Sequence, residues 1–258
     1  MTRPRYCTTS NRPPRPGTRR NRPSPEALEP RLCLATGQAL ADGVDALAMG
    51  DVNGDRVVDI VVAGRQGGHY VVTIYDGVGT QDKSSRTGSE VLPLATLTDP
   101  LGKGVGPLSV AVGDFSGDGV SELAIAATAG GEAQVATYRF QLPAGASPID
   151  QPVTAVPLAA AFVPPGFGSA TGLSLAAADM DGNGADELIV GSVGAGPANL
   201  DQLSFSSAGG WQLEKSISLP DGMGGVSLSA GQLTGPGVPD IAAINQSNGQ
   251  VAVYMGKT

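Results

Sequence analysis

An acidic turn recurs four times along the chain, and this repeat constrains the fold more than any other feature of the sequence. The four turns begin at Asp51, Asp114, Asp179 and Gln232, which are separated by 63, 65 and 53 residues. Each turn is rich in glycine and is followed by a short apolar run. Self-similarity at such a period is typical of chains built from stacked supersecondary units.

Each repeat predicts four short β-strands, because short apolar runs alternate with turn-forming residues. The first strand precedes the acidic turn, as in residues 108–113. The second strands are predicted at 60–63, 123–127, 188–191 and 241–244. The third strands end in the aromatic residues Tyr75, Tyr138, Phe205 and Tyr254. The fourth strands are predicted at 91–97, 153–162 and 211–219.

Tandem four-stranded units of this length predict an all-β protein, a β-propeller of four blades. The blades are expected at about residues 41–104, 105–169, 170–222 and 223–258. A single blade cannot bury both of its faces, so neighbouring blades must stack. Two unrelated β-domains are the alternative, but they do not account for the regular spacing of the turns.

The segment near residues 32–40 resembles the fourth strand of the first repeat, which contains Leu92-Pro-Leu-Ala-Thr-Leu-Thr-Asp. We therefore expect this N-terminal strand to pair with the last blade and close the ring, which would remove exposed sheet edges. The alternative is that the four repeats form part of a larger propeller.

The acidic turns predict metal sites, since oxygen-bearing residues recur at positions 1, 3, 5 and 9 of the first three turns. Position 7 would add a backbone carbonyl. Hard oxygen ligands on a tight, glycine-bearing turn favour Ca²⁺. Three sites follow. Site one comprises Asp51, Asn53, Asp55, Val57 and Asp59. Site two comprises Asp114, Ser116, Asp118, Val120 and Glu122. Site three comprises Asp179, Asp181, Asn183, Ala185 and Glu187.

These turns differ from EF-hands, which require helical flanks and a bidentate glutamate at position 12. The simplest alternative is an Asx-rich turn held by its own side chains. Recurrence of three such turns between equivalent strands favours calcium. In the fourth turn Gln232, Thr234 and Pro236 replace the ligands and leave only Asp240, so no metal is expected there.

With these residues in place, the repeats resemble the FG-GAP or VCBS-type repeats of bacterial surface proteins and integrin α-chain heads. Repeat three is the most similar, with Gly166-Phe167-Gly168 before its turn and Gly191-Ser192-Val193 after it. The resemblance covers about residues 40–258. It implies a β-propeller with structural calcium in the blade turns, and any ligand on the opposite face.

The N-terminal segment differs in charge from the rest of the chain, with a net charge of +6 over residues 1–35 and −14 beyond them. Its many arginines and prolines predict that residues 1–31 are a disordered tail, followed by the propeller at 32–258. Residues 28–31 resemble the Leu-Glu-Pro-Arg segment near the N-terminus of many bacterial surface and secreted proteins. This resemblance implies export to the cell surface or the exterior, while a plain basic tail is the alternative.

Several classes of function are disfavoured. The acidic body does not suit nucleic acid, and no apolar stretch is long enough for a transmembrane helix. His69 is the only histidine, and no Gly-x-Ser-x-Gly or phosphate-binding glycine motif occurs, so no enzyme is predicted.

The sequence instead predicts a non-catalytic, calcium-binding extracellular propeller that binds an unidentified protein or glycan at the cell surface. One alternative is a lectin-like or polysaccharide-associated propeller, for which Trp211, Tyr70 and Tyr75 are the candidate sugar-stacking residues. The other is a structural repeat module without a ligand.

Overall fold

The computed structural model describes seven parts of the chain, at residues 43–77, 93–103, 106–146, 152–194, 199–220, 225–233 and 237–256. These parts contain β-strands and turns but no helix, which confirms the predicted all-β class. The proposed closing strand at 32–40 and the basic tail at 1–31 both lie outside the described residues.

Among the described residues, fifteen strands form four antiparallel sheets, each a simple meander in chain order. Blade 1 contains β1 (Val44–Gly50), β2 (Asp59–Gln66), β3 (His69–Tyr75) and β4 (Pro93–Thr98). Blade 2 contains β5 (Ser109–Gly113), β6 (Glu122–Ala129), β7 (Glu132–Gln141) and β8 (Thr154–Phe162). Blade 3 contains β9 (Leu173–Ala178), β10 (Glu187–Ser192), β11 (Asn199–Ser206) and β12 (Gly210–Ser218). Blade 4 contains β13 (Val226–Gly231), β14 (Asp240–Asn245) and β15 (Val251–Tyr254) among the described residues.

The same register recurs at the start of every second strand, where the acid at position 9 lies opposite the last residue of the first strand. The pairs are Gly50 with Asp59, Gly113 with Glu122, Ala178 with Glu187 and Gly231 with Asp240. Side chains alternate between the two faces of a strand. Equivalent residues of the four blades therefore point towards equivalent neighbours.

Neighbouring blades pack through their first strands, with β1 against β5, β5 against β9 and β9 against β13. Three apolar clusters fill the spaces between the blades, one for each pair of neighbours. The second strand lies in the middle of each blade, and in β6 and β10 every residue is buried. These continuous apolar runs form central strands covered on both sides, as their sequences predict. The arrangement is that of a β-propeller with four blades.

Candidate metal sites

The three predicted metal-binding turns share one local structure, built around the aspartate at position 1. Its carboxylate accepts backbone amides from within the turn, and in each case one oxygen accepts the amide of position 5 and the other the amide of position 6. The position-5 donors are Asp55, Asp118 and Asn183, at 3.0–3.1 Å. The position-6 donors are Arg56, Gly119 and Gly184, at 2.7–2.9 Å. These bonds curl the backbone of each turn around the carboxylate at position 1.

Position 5 extends the same pattern, because its side-chain oxygen accepts the amide of position 7. The donors are Val57, Val120 and Ala185, at 2.7–3.0 Å. These bonds define Asx turns. The alternative interpretation of the sequence, an Asx-rich turn held by its own side chains, is therefore correct for the local backbone. The bonds are compatible with a cation, since each carboxylate offers about four acceptor positions in total.

Carboxylates converge most closely in the third turn. Oxygens of Asp179, Asp181 and Glu187 all lie within 4.8 Å of one another. Two oxygens that bind one Ca²⁺ at 2.3–2.6 Å can be no farther apart than about 5 Å. This trio therefore fits a calcium ion both in donor chemistry and in spacing. Within the described part of the chain, the acids of the first two turns do not form such a group.

The acid at position 9 is buried in every blade and anchors the turn to its own sheet. One of its oxygens accepts the backbone amide of position 2. The four bonds are Val52 to Asp59, Ser116 to Glu122 (from position 3 in this blade), Met180 to Glu187 and Leu233 to Asp240, at 2.6–3.1 Å. The blade 4 turn retains this bond although its other predicted ligands are replaced. Position 9 therefore has a structural role that does not depend on a metal site.

In blades 1 and 4 the second oxygen of this acid accepts the backbone amide of a glycine two residues after the end of the third strand. Gly77 donates its amide to Asp59 at 3.0 Å, and Gly256 donates to Asp240 at 3.1 Å. A Cβ atom at Gly77 would lie 2.1 Å from the carbonyl oxygen of Val58. Only glycine allows this approach. A glycine recurs two residues after Tyr75 and after Tyr254, and this recurrence is the sequence signal from which the contact could have been predicted.

Burial raises the pKa of the position-9 acid in the first three blades. Desolvation raises the pKa of Asp59 to about 6 and that of Glu187 to about 7, against the opposing effect of the backbone amides. The pKa of Glu122 is raised for the same reason. A nearby cation favours the ionised form of a carboxylate, so a bound divalent ion would offset the cost of burying these charges.

Position 8, for which the ligand pattern predicted no role, links the turn of one blade to the turn of the preceding blade. Asp186 accepts the amide of Asp114 with Oδ2 at 2.8 Å and donates its own amide to the carbonyl of Asp114 at 2.8 Å. Ser121 donates its amide to the carbonyl of Asp51 in the same way. The three turns consequently lie side by side at one end of the propeller.

Position 6 shows local strain in the first turn. Arg56 has φ 68°, whereas the same position is glycine in the next two turns, Gly119 (φ 87°) and Gly184 (φ 93°). The left-handed region costs residues with a Cβ atom roughly 1–2 kcal/mol. Glycine adopts it freely.

We expect Arg56→Gly to raise the free energy of unfolding by about 0.5–1 kcal/mol, the strain relieved less the entropy that glycine loses on folding. Gly184→Ala should lower it by about 1–2 kcal/mol, because no atom lies within 4 Å of the added Cβ and the cost is conformational. Urea denaturation monitored by circular dichroism measures both. Arg56→Ala, which keeps a Cβ atom, is the control. An equal gain from Arg56→Ala and Arg56→Gly would contradict the role of strain.

The candidate sugar-stacking residues are engaged within the protein. Trp211 packs against Phe115, Phe162 and Phe205, with ring centroids 5.2–6.0 Å away, and its indole Nε1 donates to the hydroxyl of Thr137. Tyr70 is buried, and its hydroxyl donates to the carbonyl of Gly106. Tyr75, at the end of β3, is half-buried. These contacts do not favour a platform for sugar rings.

Comparison with known proteins agrees with the geometry. Residues 51–125 match the family described as FG-GAP-like repeat, and this match begins at the first position of the first acidic turn. The FG-GAP-like match and the four-bladed propeller confirm the predicted class of repeat. A comparison with curated proteins finds none that is similar.

Repeats of the FG-GAP class are generally non-catalytic structural modules, commonly bind calcium and occur in extracellular proteins. In the described parts of the chain, no helix is long and apolar enough to cross a membrane.

Proposed function

We propose that this protein is a non-catalytic, calcium-binding extracellular β-propeller module that interacts with a protein or glycan at the cell surface. The observation that carries the proposal is the convergence of Asp179, Asp181 and Glu187 within 4.8 Å in the third acidic turn. These three acids would hold the ion, with Asn183 and the carbonyl of Ala185 as the further ligands. The equivalent residues of the first two turns form two further proposed sites.

The chemistry of the site supports calcium over other metals. All of its side-chain donors are oxygens, and the described propeller contains no cysteine or second histidine. Asp181 and Asn183 are exposed. An ion bound there would neutralise charge at the protein surface and would itself remain close to solvent. Exposed sites of this type suit the dissociation constants of extracellular modules, about 10⁻⁴–10⁻³ M.

Bound calcium would stabilise the propeller by neutralising charges that otherwise repel one another. The ion would supply positive charge at the turn. The protein's own residues hold the backbone curled and place the acids, through the amides bound to Asp179 and Glu187. Hydrogen bonds at position 8 join neighbouring turns. Calcium that orders one turn would therefore also help to order the next turn.

Thermal unfolding with calcium and with a chelator tests the proposal. Calcium at a hundred times its dissociation constant adds about 2.7 kcal/mol per site, which corresponds to a rise in Tm of roughly 5–10 °C for a domain of this size. Asp181→Asn should reduce this rise, because it removes one charge but keeps an acceptor for the amide of Asn183.

Glu132→Gln is the matched control, since it neutralises an exposed acid at the turn between β6 and β7. It should leave the response to calcium unchanged. Identical melting curves in calcium and in chelator, together with no heat of binding in a calorimetric titration with CaCl₂, would refute calcium binding.

A further inference from the structure

Each blade has two apolar faces that play different parts in the packing. We name the face towards the preceding blade the leading face and the face towards the following blade the trailing face. On their first two strands, the leading faces of blades 2 and 3 carry large residues that are buried. These residues are Val110, Leu123 and Ile125 in blade 2 and Leu175, Leu188 and Val190 in blade 3.

The first strands carry small residues on their trailing faces, namely Ala46 and Ala48 in blade 1, Ser109 and Ala111 in blade 2, and Ser174 and Ala176 in blade 3. Against the leading face of blade 3, for example, blade 2 places Ala111, Ala124 and Ala126 in one cluster. Large side chains of one blade thus meet small ones of the blade before it. This size complementarity lets the first strands of neighbouring blades approach closely.

On the leading face of blade 1 and on the trailing face of blade 4, the equivalent residues are exposed. On the leading face of blade 1, Leu47 is 60% exposed, whereas Leu175 at the same position of blade 3 is 5% exposed. Met49, on the same face, is 63% exposed. On the trailing face of blade 4, Ile244, Val251 and Val253 are about half exposed, whereas Ala63 and Ala126, which correspond to Ile244, are buried.

The two exposed faces match each other as the internal ones do. The leading face of blade 1 is large (Leu47, Met49), and the first strand of blade 4 is small on its trailing face (Ser227, Ser229). Exposed apolar faces of this kind mark interaction surfaces.

A recurrent serine adds a polar match. Ser109 of blade 2 accepts the amide of Leu175 at 3.0 Å, and Ser174 of blade 3 accepts the amide of Leu228 at 3.0 Å. Ser227 is the equivalent serine of blade 4; it is exposed and accepts the side-chain amide of Gln246. Leu47 occupies in blade 1 the position of Leu175 and Leu228. The trailing face of blade 4 therefore carries the serine, and the leading face of blade 1 the leucine, of a contact that the chain already makes between blades 2 and 3 and between blades 3 and 4.

We propose that the leading face of blade 1 packs on the trailing face of blade 4 of a second copy of this chain, forming a head-to-tail dimer that closes a ring of eight blades. One chain offers each face once, so two copies related by a two-fold axis make two identical contacts. Head-to-tail contacts of this kind close into a ring when the rotation between copies permits it. The contact continues the interface that already joins the blades, and it does not depend on calcium.

Light scattering coupled to gel filtration tests the dimer in the full chain. The wild-type protein should have twice the chain mass of 25.8 kDa, falling to that of one chain on dilution. Met49→Glu and Val253→Glu should each give a single-chain mass at all concentrations with unchanged circular dichroism. Leu213→Glu, an equally drastic change at an exposed residue of the outer strand β12, should leave the dimer intact. A single-chain mass for the wild type at every concentration, or a ladder of larger masses, would overturn the closed dimer.

Cysteine pairing tests which faces meet. In a background of Cys7→Ser and Cys33→Ser, chains with Leu47→Cys are mixed with chains carrying Ser227→Cys and then oxidised. A disulfide-linked dimer should form in the mixture and in neither variant alone. A chain carrying both cysteines that oxidises to a cross-linked monomer would show that four blades close on themselves, and it would overturn the proposal.

Discussion

Replacing Asp240 with alanine is expected to lower the free energy of unfolding by about 3 kcal/mol, in calcium and in chelator alike. Asp240 is almost fully buried, and its two oxygens accept the amides of Leu233 and Gly256 at 3.0 and 3.1 Å. The substitution removes both bonds, and a hydrogen bond to a charged group contributes roughly 1.5–3 kcal/mol. Urea denaturation monitored by circular dichroism measures the change.

Two control variants separate this structural role from a general effect of charge. Asp240→Asn keeps one acceptor oxygen and should cost less than Asp240→Ala. Glu132→Ala removes an exposed acid and should change stability by no more than about 0.5 kcal/mol. If Asp240→Ala destabilised the protein only when calcium was present, the acid at position 9 would be acting through a metal, contrary to our interpretation.

The second large effect is expected at the buried leading face of blade 3. Leu175→Ala should lower the free energy of unfolding by roughly 2–5 kcal/mol, since it removes apolar contacts and leaves a cavity between blades 2 and 3. Leu47→Ala makes the same chemical change at the equivalent position of blade 1, where the side chain is 60% exposed. In dilute solution it should cost less than about 0.5 kcal/mol.

Denaturation at low protein concentration compares the two variants directly, because residue type and blade position are matched. Equal losses in dilute solution would show that another surface already covers Leu47 in the single chain. A loss for Leu47→Ala that appears only as the protein concentration rises is the result expected for the head-to-tail dimer.

Much of the architecture could be predicted from local patterns. The four turns that begin at Asp51, Asp114, Asp179 and Gln232 indicated the number of blades, because each turn lies between the first and second strands of its blade. The apolar run after each turn predicted the central strand, since only a strand covered on both faces is apolar throughout. The predicted ends of the third strands at Tyr75 and Tyr254 agree with the structure, whereas β7 continues three residues past Tyr138.

The different roles of the acids within the turns could not be predicted, because they depend on which amides face each carboxylate. The sequence treats positions 1, 5 and 9 alike, as acidic ligands. In the structure position 1 holds the turn, position 9 is buried and anchors the turn to the sheet, and Asp186 joins neighbouring turns. The sequence did contain one indication of this, since Asp240 persists in a turn from which the other predicted ligands have gone.

The repeated unit, a four-stranded blade with an acidic turn between its first two strands, could be predicted from the chain, because strand period, turn residues and ligand spacing are local properties. What each copy of that unit contacts depends on how the blades pack in three dimensions. Leu47 and Leu175 occupy the same position of the same unit, and one is exposed while the other is buried. The physical reason is that burial of a sheet face depends on the neighbouring sheet that covers it, and the residues of the face itself carry no information about that neighbour.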